Sequence, residues 1–295
     1  MGFSFGNLSA YTDELSFELV SKAVLQTDLM SEISVRTGLQ AGTVAINLFD
    51  GTLEVGNLTC GWNPLGTASL SQVDLCIRDK QVKMDLCPND LRTYYTSELM
   101  RGGAYQESIP FEQVIADYYV ARIKKYNEEY LISGDGTCNG IKQQIATASG
   151  ASLAGTASWT STTALSLAQD MFDAIGQEVQ DRDDLILVLS PARYNILVRS
   201  LVAANYYHYD SVQGNVVAEI PGTTMKAVKS AGLVGSNYMC AGPAEFIVAG
   251  TGLTDDMSQF RFFYDQGQDV VKLLAKWRIG VAVHQVNLFA TNGLA

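Results

Sequence analysis

The stretch from Ser71 to Cys87 constrains this chain more than any other. With Asp79 and Lys80 as a two-residue turn, Ile77 falls opposite Val82, Leu75 opposite Met84 and Val73 opposite Leu86, all on one face. Asp74/Asp85, Cys76/Lys83 and Arg78/Gln81 fill the other. One register satisfies every position, so a hairpin with a charged tip is expected. The turn lacks the favoured Asn-Gly, and a slightly longer loop keeps the same two faces. A two-stranded hairpin is marginal by itself. Its apolar face (Val73, Leu75, Ile77, Val82, Met84, Leu86) needs a cover, and we expect a neighbouring subunit to supply it. Each such side chain contributes about 1.5–3 kcal/mol on burial.

The rest of the chain supplies a core. Its 295 residues, 47% hydrophobic and 17% charged, exclude wholesale disorder. Upstream, Leu15, Leu19, Lys22, Leu25 and Leu29 lie near helical spacing and predict one amphipathic helix over 11–30, with Asp13 and Glu14 where the helix dipole favours acids. From Gly38 to Gly66, Gly, Thr and Asn dominate, with short apolar alternations compatible with strand but no helical period, and the stretch reads as an extended arm. Downstream, Ile115, Tyr119, Ile123, Tyr126 and Tyr130 recur at intervals of three and four, and Gly134 stops the run. That spacing, behind Pro110 at a first helical position, predicts a long helix over 110–133.

Residues 144–162, rich in Ala, Ser, Thr and Gly, read as a flexible connection and a boundary. Beyond it, Leu165, Ala168, Phe172, Ile175 and Val179 mark a helix, DLILVLS a buried strand, and Pro191 behind a Ser190 cap another helix. Short strands follow. The chain closes on a long one, in which Val271, Leu273, Ala275, Trp277, Ile279, Val281 and Val283 alternate with Lys272, Lys276 and Arg278. That basic row is expected on the exposed face, open to solvent or to an acidic neighbour. The pattern as a whole is α+β, with mixed α/β packing in its second half.

Chemistry is sparse. Twenty Lys+Arg against thirty-one Asp+Glu give a net charge of -11, which repels a phosphate backbone and argues against sequence-specific nucleic-acid binding. No phosphate loop, nucleophile elbow or zinc-protease motif occurs, and GDGTCNG at 134–140 misses the dinucleotide spacing. His208 and His284 are the two histidines, both read as surface or hydrogen-bonded groups rather than catalytic ones. Asp135 between glycines, and Asp255 with Asp256, read as turns and not as cation loops. The tyrosines of the long helix read as core or subunit contacts. Five cysteines (Cys60, Cys76, Cys87, Cys138, Cys240), an odd set without C-x-x-C spacing, read as reduced thiols acting as small hydrophobes. With no membrane-length apolar run and no leader pattern, the chain is expected to be soluble and not exported. No cofactor and no metal are expected.

Taken in order, an N-terminal arm, a projecting hairpin, a long helix, a flexible connection, a compact α/β region and a returning long strand resemble the major capsid proteins of tailed bacteriophages. Theirs is the Hong Kong 97-type fold, also used by encapsulin shells. IPGTTMKAVKSAGL, and the run from AEFIVAG to WRIGVAV, are similar to that family's exit from its axial domain. CGWNPLGTASLSQ before the hairpin and MDLCP after it resemble more narrowly the crAss-like phages and their relatives.

The resemblance implies an N-terminal arm over 1–51, an extended hairpin loop over 52–90, and a peripheral domain over 91–159 with its spine helix at 110–133. It places an axial domain at 160–252 and return strands of the peripheral domain at 253–295. No charged helical pro-segment precedes the arm, so a fused scaffolding region is expected to be absent or removed. The implied function is self-assembly into hexamers and pentamers of an icosahedral virion shell enclosing double-stranded DNA without sequence specificity, assembled in the host cytoplasm and without enzyme activity. Copies of itself, scaffolding, portal and decoration proteins are the implied partners, and no membrane is. Three alternatives stay open: an encapsulin enclosing cargo enzymes, a minor structural or tail protein, and an α/β enzyme using carboxylates with His208.

Overall fold

Two six-stranded sheets carry the fold. The computed structural model describes residues 15–25, 27–52, 54–55, 57, 66–87, 89–90, 111–147, 152–153, 159–206, 218–252 and 259–292. Through the first half of the chain run α1 (Ser16–Leu25), β1 (Ser34–Arg36), β2 (Gly42–Thr52), β3 (Thr67–Leu86), α2 (Phe111–Ser133), α3 (Ile141–Thr147) and β4 (Ser152–Leu153). Then come α4 (Ala164–Asp173), β5 (Leu185–Leu189), α5 (Pro191–Ala203), β6 (Ala218–Glu219), β7 (Lys226–Lys229) and β8 (Cys240–Pro243). The chain ends with β9 (Ile247–Thr251), β10 (Gln259–Asp265), β11 (Val270–Val283) and β12 (Ala290–Thr291).

The first sheet runs β1-β9-β11-β3-β2, with β10 beside the outer half of β11. The predicted alternation of β11 is what builds it: Val271, Leu273, Ala275 and Trp277 turn inward and join the core shared with α1 and α2. The second sheet runs β4-β12-β8-β5-β7-β6. All five residues of β5 are buried, as a continuous apolar run requires, and α4 and α5 contribute Leu167, Met171, Leu197 and Leu201 to the core against it. The Ser190 hydroxyl accepts from the Arg193 N–H, the cap read from the sequence.

Helix α2 spans 23 residues, about 35 Å at 1.5 Å per residue. It ends where expected: the Gly134 N–H donates to the Tyr130 carbonyl at 2.7 Å, and Gly134 takes φ 68°. Its apolar stripe is less simple than the spacing suggests. Tyr126 is on the exposed side, while Asn127 and Glu128 are buried. Asn127 donates to the Ala23 carbonyl and accepts from Trp277 Nε1 at 2.9 Å. Glu128 accepts from the Asp28 N–H and the Ser230 hydroxyl, each at 3.0 Å, and from the Ala231 N–H. Two polar side chains thus join α1, α2, β11 and the turn at 230–231, satisfying their own buried groups while doing so.

Two expectations are corrected here, and the strand-like alternations of the arm resolve into a strand. The first helix is shorter than 11–30, and Leu29 is buried in the turn that follows it. The arm read over 38–66 contains a regular strand, β2. The connection read at 144–162 is structured at both ends. Residues 144–147 belong to α3, where the Gln144 amide donates to the Val281 carbonyl and accepts from the Val283 N–H at 2.8 Å. Trp159 Nε1 donates to the Arg193 carbonyl at 3.0 Å.

Candidate assembly surface

The hairpin predicted at Asp79-Lys80 does not form. Residues 67–86 are one strand, β3, which pairs with β2 over Thr67–Ile77 and with β11 over Cys76–Leu86, both antiparallel. The physical reason is a change of face. Side chains alternate along a strand, so odd-numbered Val73, Leu75 and Ile77 lie on one side of the sheet, and even-numbered Val82, Met84 and Leu86 on the other. The first set packs with Ile46, Val248 and Ala282, while Val82 and Leu86 pack against the main core on the opposite side. A strand that buries one face at one end and the other face at the other end carries the same apolar pattern as a folded-back hairpin.

The real hairpin is β2 with β3, in register from Gly42↔Ile77 to Thr52↔Thr67. Along it the surroundings change. Leu75 and Ile77 are 0% exposed, so they belong to the chain's own core and not to a face left for a neighbour. From Thr67 to Gln72 every residue is exposed, and Leu70 is 79% exposed. Of the six residues expected at an interface, Val73 is half-buried and Met84 is 41% exposed; Val82 and Leu86 are partly covered by the core. Leu70 escaped the sequence reading because it lies outside the Val73–Leu86 pattern.

At the root of this ribbon, Cys76 and Cys138 form a disulfide, with Cα atoms 5.7 Å apart across 62 residues. This corrects the reading of all five cysteines as reduced thiols. Cys87 is free and exposed, Cys240 is free and buried, and burial pushes the Cys240 thiol up to about 12. Cys60 lies outside the described residues. Asp135, read as a turn residue, is one: its carboxylate accepts from the Cys138 and Thr137 N–H groups and pairs with Lys80 at 2.7 Å. Those backbone bonds, the one from Cys138 foremost, and Lys80 lower its pKa to about 2. Lys80 also lies 4.3 Å from the centre of the Tyr130 ring.

The remaining candidates separate. His208, Asp255 and Asp256 lie outside the described residues. His284 lies against Phe246 with ring centres 4.7 Å apart and the rings tilted by 45°, and burial lowers its pKa. The basic row is only partly exposed: Lys272 pairs with Asp265 at 2.6 Å, and Arg278, 9% exposed, pairs with Asp79 at 2.7 Å. An open depression of about 550 Å³ between Glu32, Ser34, Asp181, Asp183 and Glu245 has Arg182 in it. Arg182 holds Asp184 with two hydrogen bonds, at 2.7 and 3.1 Å, and pairs with Glu245. The cluster thus neutralises part of its own charge. Among the described residues no three His, Cys, Asp or Glu side chains are grouped to hold a metal, and no helix is long and apolar enough to cross a membrane.

No family model matches the chain, and no curated protein matches it. Solved structures do. A chain of the capsid of an empty GTA particle is 13% identical with a TM-score of 0.57, covering 92% of this chain and 89% of its own. A chain of Gordonia phage Cozz is 12% identical with a TM-score of 0.59, covering 90% and 85%. A virus-like particle from Pyrococcus furiosus is 14% identical with a TM-score of 0.55, covering 95% and 98%. This chain has the α+β fold of these proteins, the Hong Kong 97-type fold.

Proposed function

We propose that this chain is a major capsid protein, the repeating subunit of a closed icosahedral shell built from hexamers and pentamers of itself. The observation that carries the reading is the β2–β3 ribbon, about 37 Å long at 3.4 Å per residue. Its inner end is built into the core and its outer end, with Leu70 uncovered, is presented to solvent. A ribbon of that length presents backbone and apolar surface that a subunit alone leaves uncovered, and a contact repeated around symmetry axes covers it in every copy. We place the outer ribbon, Leu70 and Val73 in particular, on an adjacent subunit, with Met84 as a further contact.

In this reading the peripheral domain is 91–159, with α2 as its spine, together with the return strands at 253–295, the axial domain spans 160–252, and the chain acts by enclosing and not by catalysis. The enclosed material is double-stranded DNA, held without sequence specificity as the net charge of -11 suggests. Scaffolding, portal and decoration proteins are its further partners, the virion its final location and the host cytoplasm its place of assembly. Kinship with crAss-like phages rests on the strings at 60–72 and 84–88.

Negative-stain microscopy of the chain expressed alone and with its gene neighbours tests the reading. Closed shells support it, and nucleic acid inside them separates a virion from a container of cargo enzymes. A strictly monomeric 32.0 kDa species at every concentration contradicts it.

A further inference from the structure

Cys76 occupies a particular rung. It pairs with Val281 as the last residue of β3 to meet β11 and with Thr43 on β2, and beyond it toward Thr67 the strand pairs, among the described strands, with the ribbon's other half. Its disulfide partner is set in a stiff loop. A Cβ on Gly134 would lie 2.2 Å from the Cys138 carbonyl oxygen, one on Gly140 2.4 Å from that of Ile132, and Asp135 ties the Cys138 N–H at 2.9 Å. The disulfide therefore joins the root of a projecting ribbon, where pairing with β11 ends and Leu75 and Ile46 still pack in the core, to a stiff loop at the end of α2. Four residues along β3 on the same face, Lys80 reaches the same loop through Asp135. Lys80 also covers the Tyr130 ring at 4.3 Å, so the body side of the root is held to this loop independently of the disulfide.

We propose that Cys76–Cys138 is a redox-written staple: with both thiols reduced the ribbon pivots about its root, and oxidation fixes its angle to the body. The step balances with a small-molecule disulfide such as oxidised glutathione as oxidant. The half-buried Cys76 thiolate attacks it, forming a mixed disulfide and releasing one glutathione thiolate. The Cys138 thiolate then attacks the Cys76 sulfur, closing the internal bond and releasing the second. Two protein thiols are oxidised and one glutathione disulfide is reduced to two thiols. A chain made in a reducing compartment thus keeps a mobile ribbon, and exposure to an oxidising medium sets it. The inference stands whether or not copies of the chain close into a shell.

Hydrogen–deuterium exchange on the full chain, equilibrated with oxidised glutathione or with a phosphine reductant, tests it. Peptide mapping of the oxidised sample should show the Cys76 and Cys138 peptides linked. Reduction should speed exchange about tenfold at the ribbon root (42–46 and 74–78) and in the loop at 134–140, with the amides of β5 unchanged. Cys138→Ser should exchange like the reduced protein and ignore the reductant. Full alkylation of both cysteines in the oxidised sample, or equal exchange in the two states, overturns the proposal. So does faster exchange throughout the molecule on reduction, which would make the bond a general stabiliser. If Cys138→Ser fails to fold, the reduced wild-type chain supplies the same comparison.

Discussion

Within β3, residues 67–73 and 75–86 share one backbone geometry and live under different physics. The inner part pairs with β11 over Cys76–Leu86, while Leu75 and Ile77 fill a core on one face and Val82 and Leu86 pack on the other. Among the described strands the outer part pairs with β2, and its Leu70 is 79% exposed. A substitution in the inner part should therefore act on folding, and one in the outer part on whatever the ribbon touches. The difference teaches that an apolar residue on this strand cannot be assigned to core or interface by its type. What covers it decides: Leu75 and Ile77 lie against Ile46, Val248 and Ala282, whereas Leu70 is left exposed.

The sharpest way to break that division is Leu75→Asp. The carboxylate would enter a site that is 0% exposed, without a partner, and the subunit should lose more than about 4 kcal/mol of stability. Urea unfolding reads the change, and a fully folded variant would move Leu75 out of the core. Next comes Gly280→Ala, where a Cβ would lie 2.2 Å from the Cys76 carbonyl oxygen on the adjoining strand. Backbone cannot yield cheaply there, and a loss of about 2–3 kcal/mol is expected by the same method.

Asp135→Ala removes the bonds that shape the anchor loop and should cost about 1 kcal/mol at neutral pH. Because the carboxyl is held at about 2, below its ordinary 3.8, its contribution is full above pH 4 and fades as pH falls toward 2. The gap between wild type and variant should close over that window in acid-titrated unfolding curves. A gap independent of pH would remove the charge from the explanation. The smallest effect on stability belongs to Leu70→Asp, expected within about 0.5 kcal/mol of wild type because the side chain is 79% exposed.

Much of this fold was legible where a pattern has only one cheap interpretation. The fully apolar run of β5, the Ser190-Pro191 helix start, the alternation of β11 and the glycine stop of α2 each matched because local chemistry and tertiary setting agree. The ribbon was misplaced because its apolar pattern satisfies two geometries equally, and only the presence of β11 against Cys76–Leu86 separates them. Glu128 and Asn127 were invisible for another reason. A polar residue on a helix reads as solvent-facing, and their partners at Asp28, Ser230 and Trp277 are far off in sequence. The disulfide was hidden likewise: five cysteines carry no pairing information until the fold brings two together. Of the candidate surface, the hydrophobic character of the ribbon could be read, but not which leucine stays uncovered.

The central claim is that the outer ribbon is the part of this chain reserved for another copy. Mass photometry of wild type and Leu70→Asp at matched concentrations, with circular dichroism on both, tests it most directly. We predict large closed particles for the wild type and, for the variant, a subunit of 32.0 kDa with an unchanged far-ultraviolet spectrum. Particles of equal number and size from both proteins, or none from either, would contradict it.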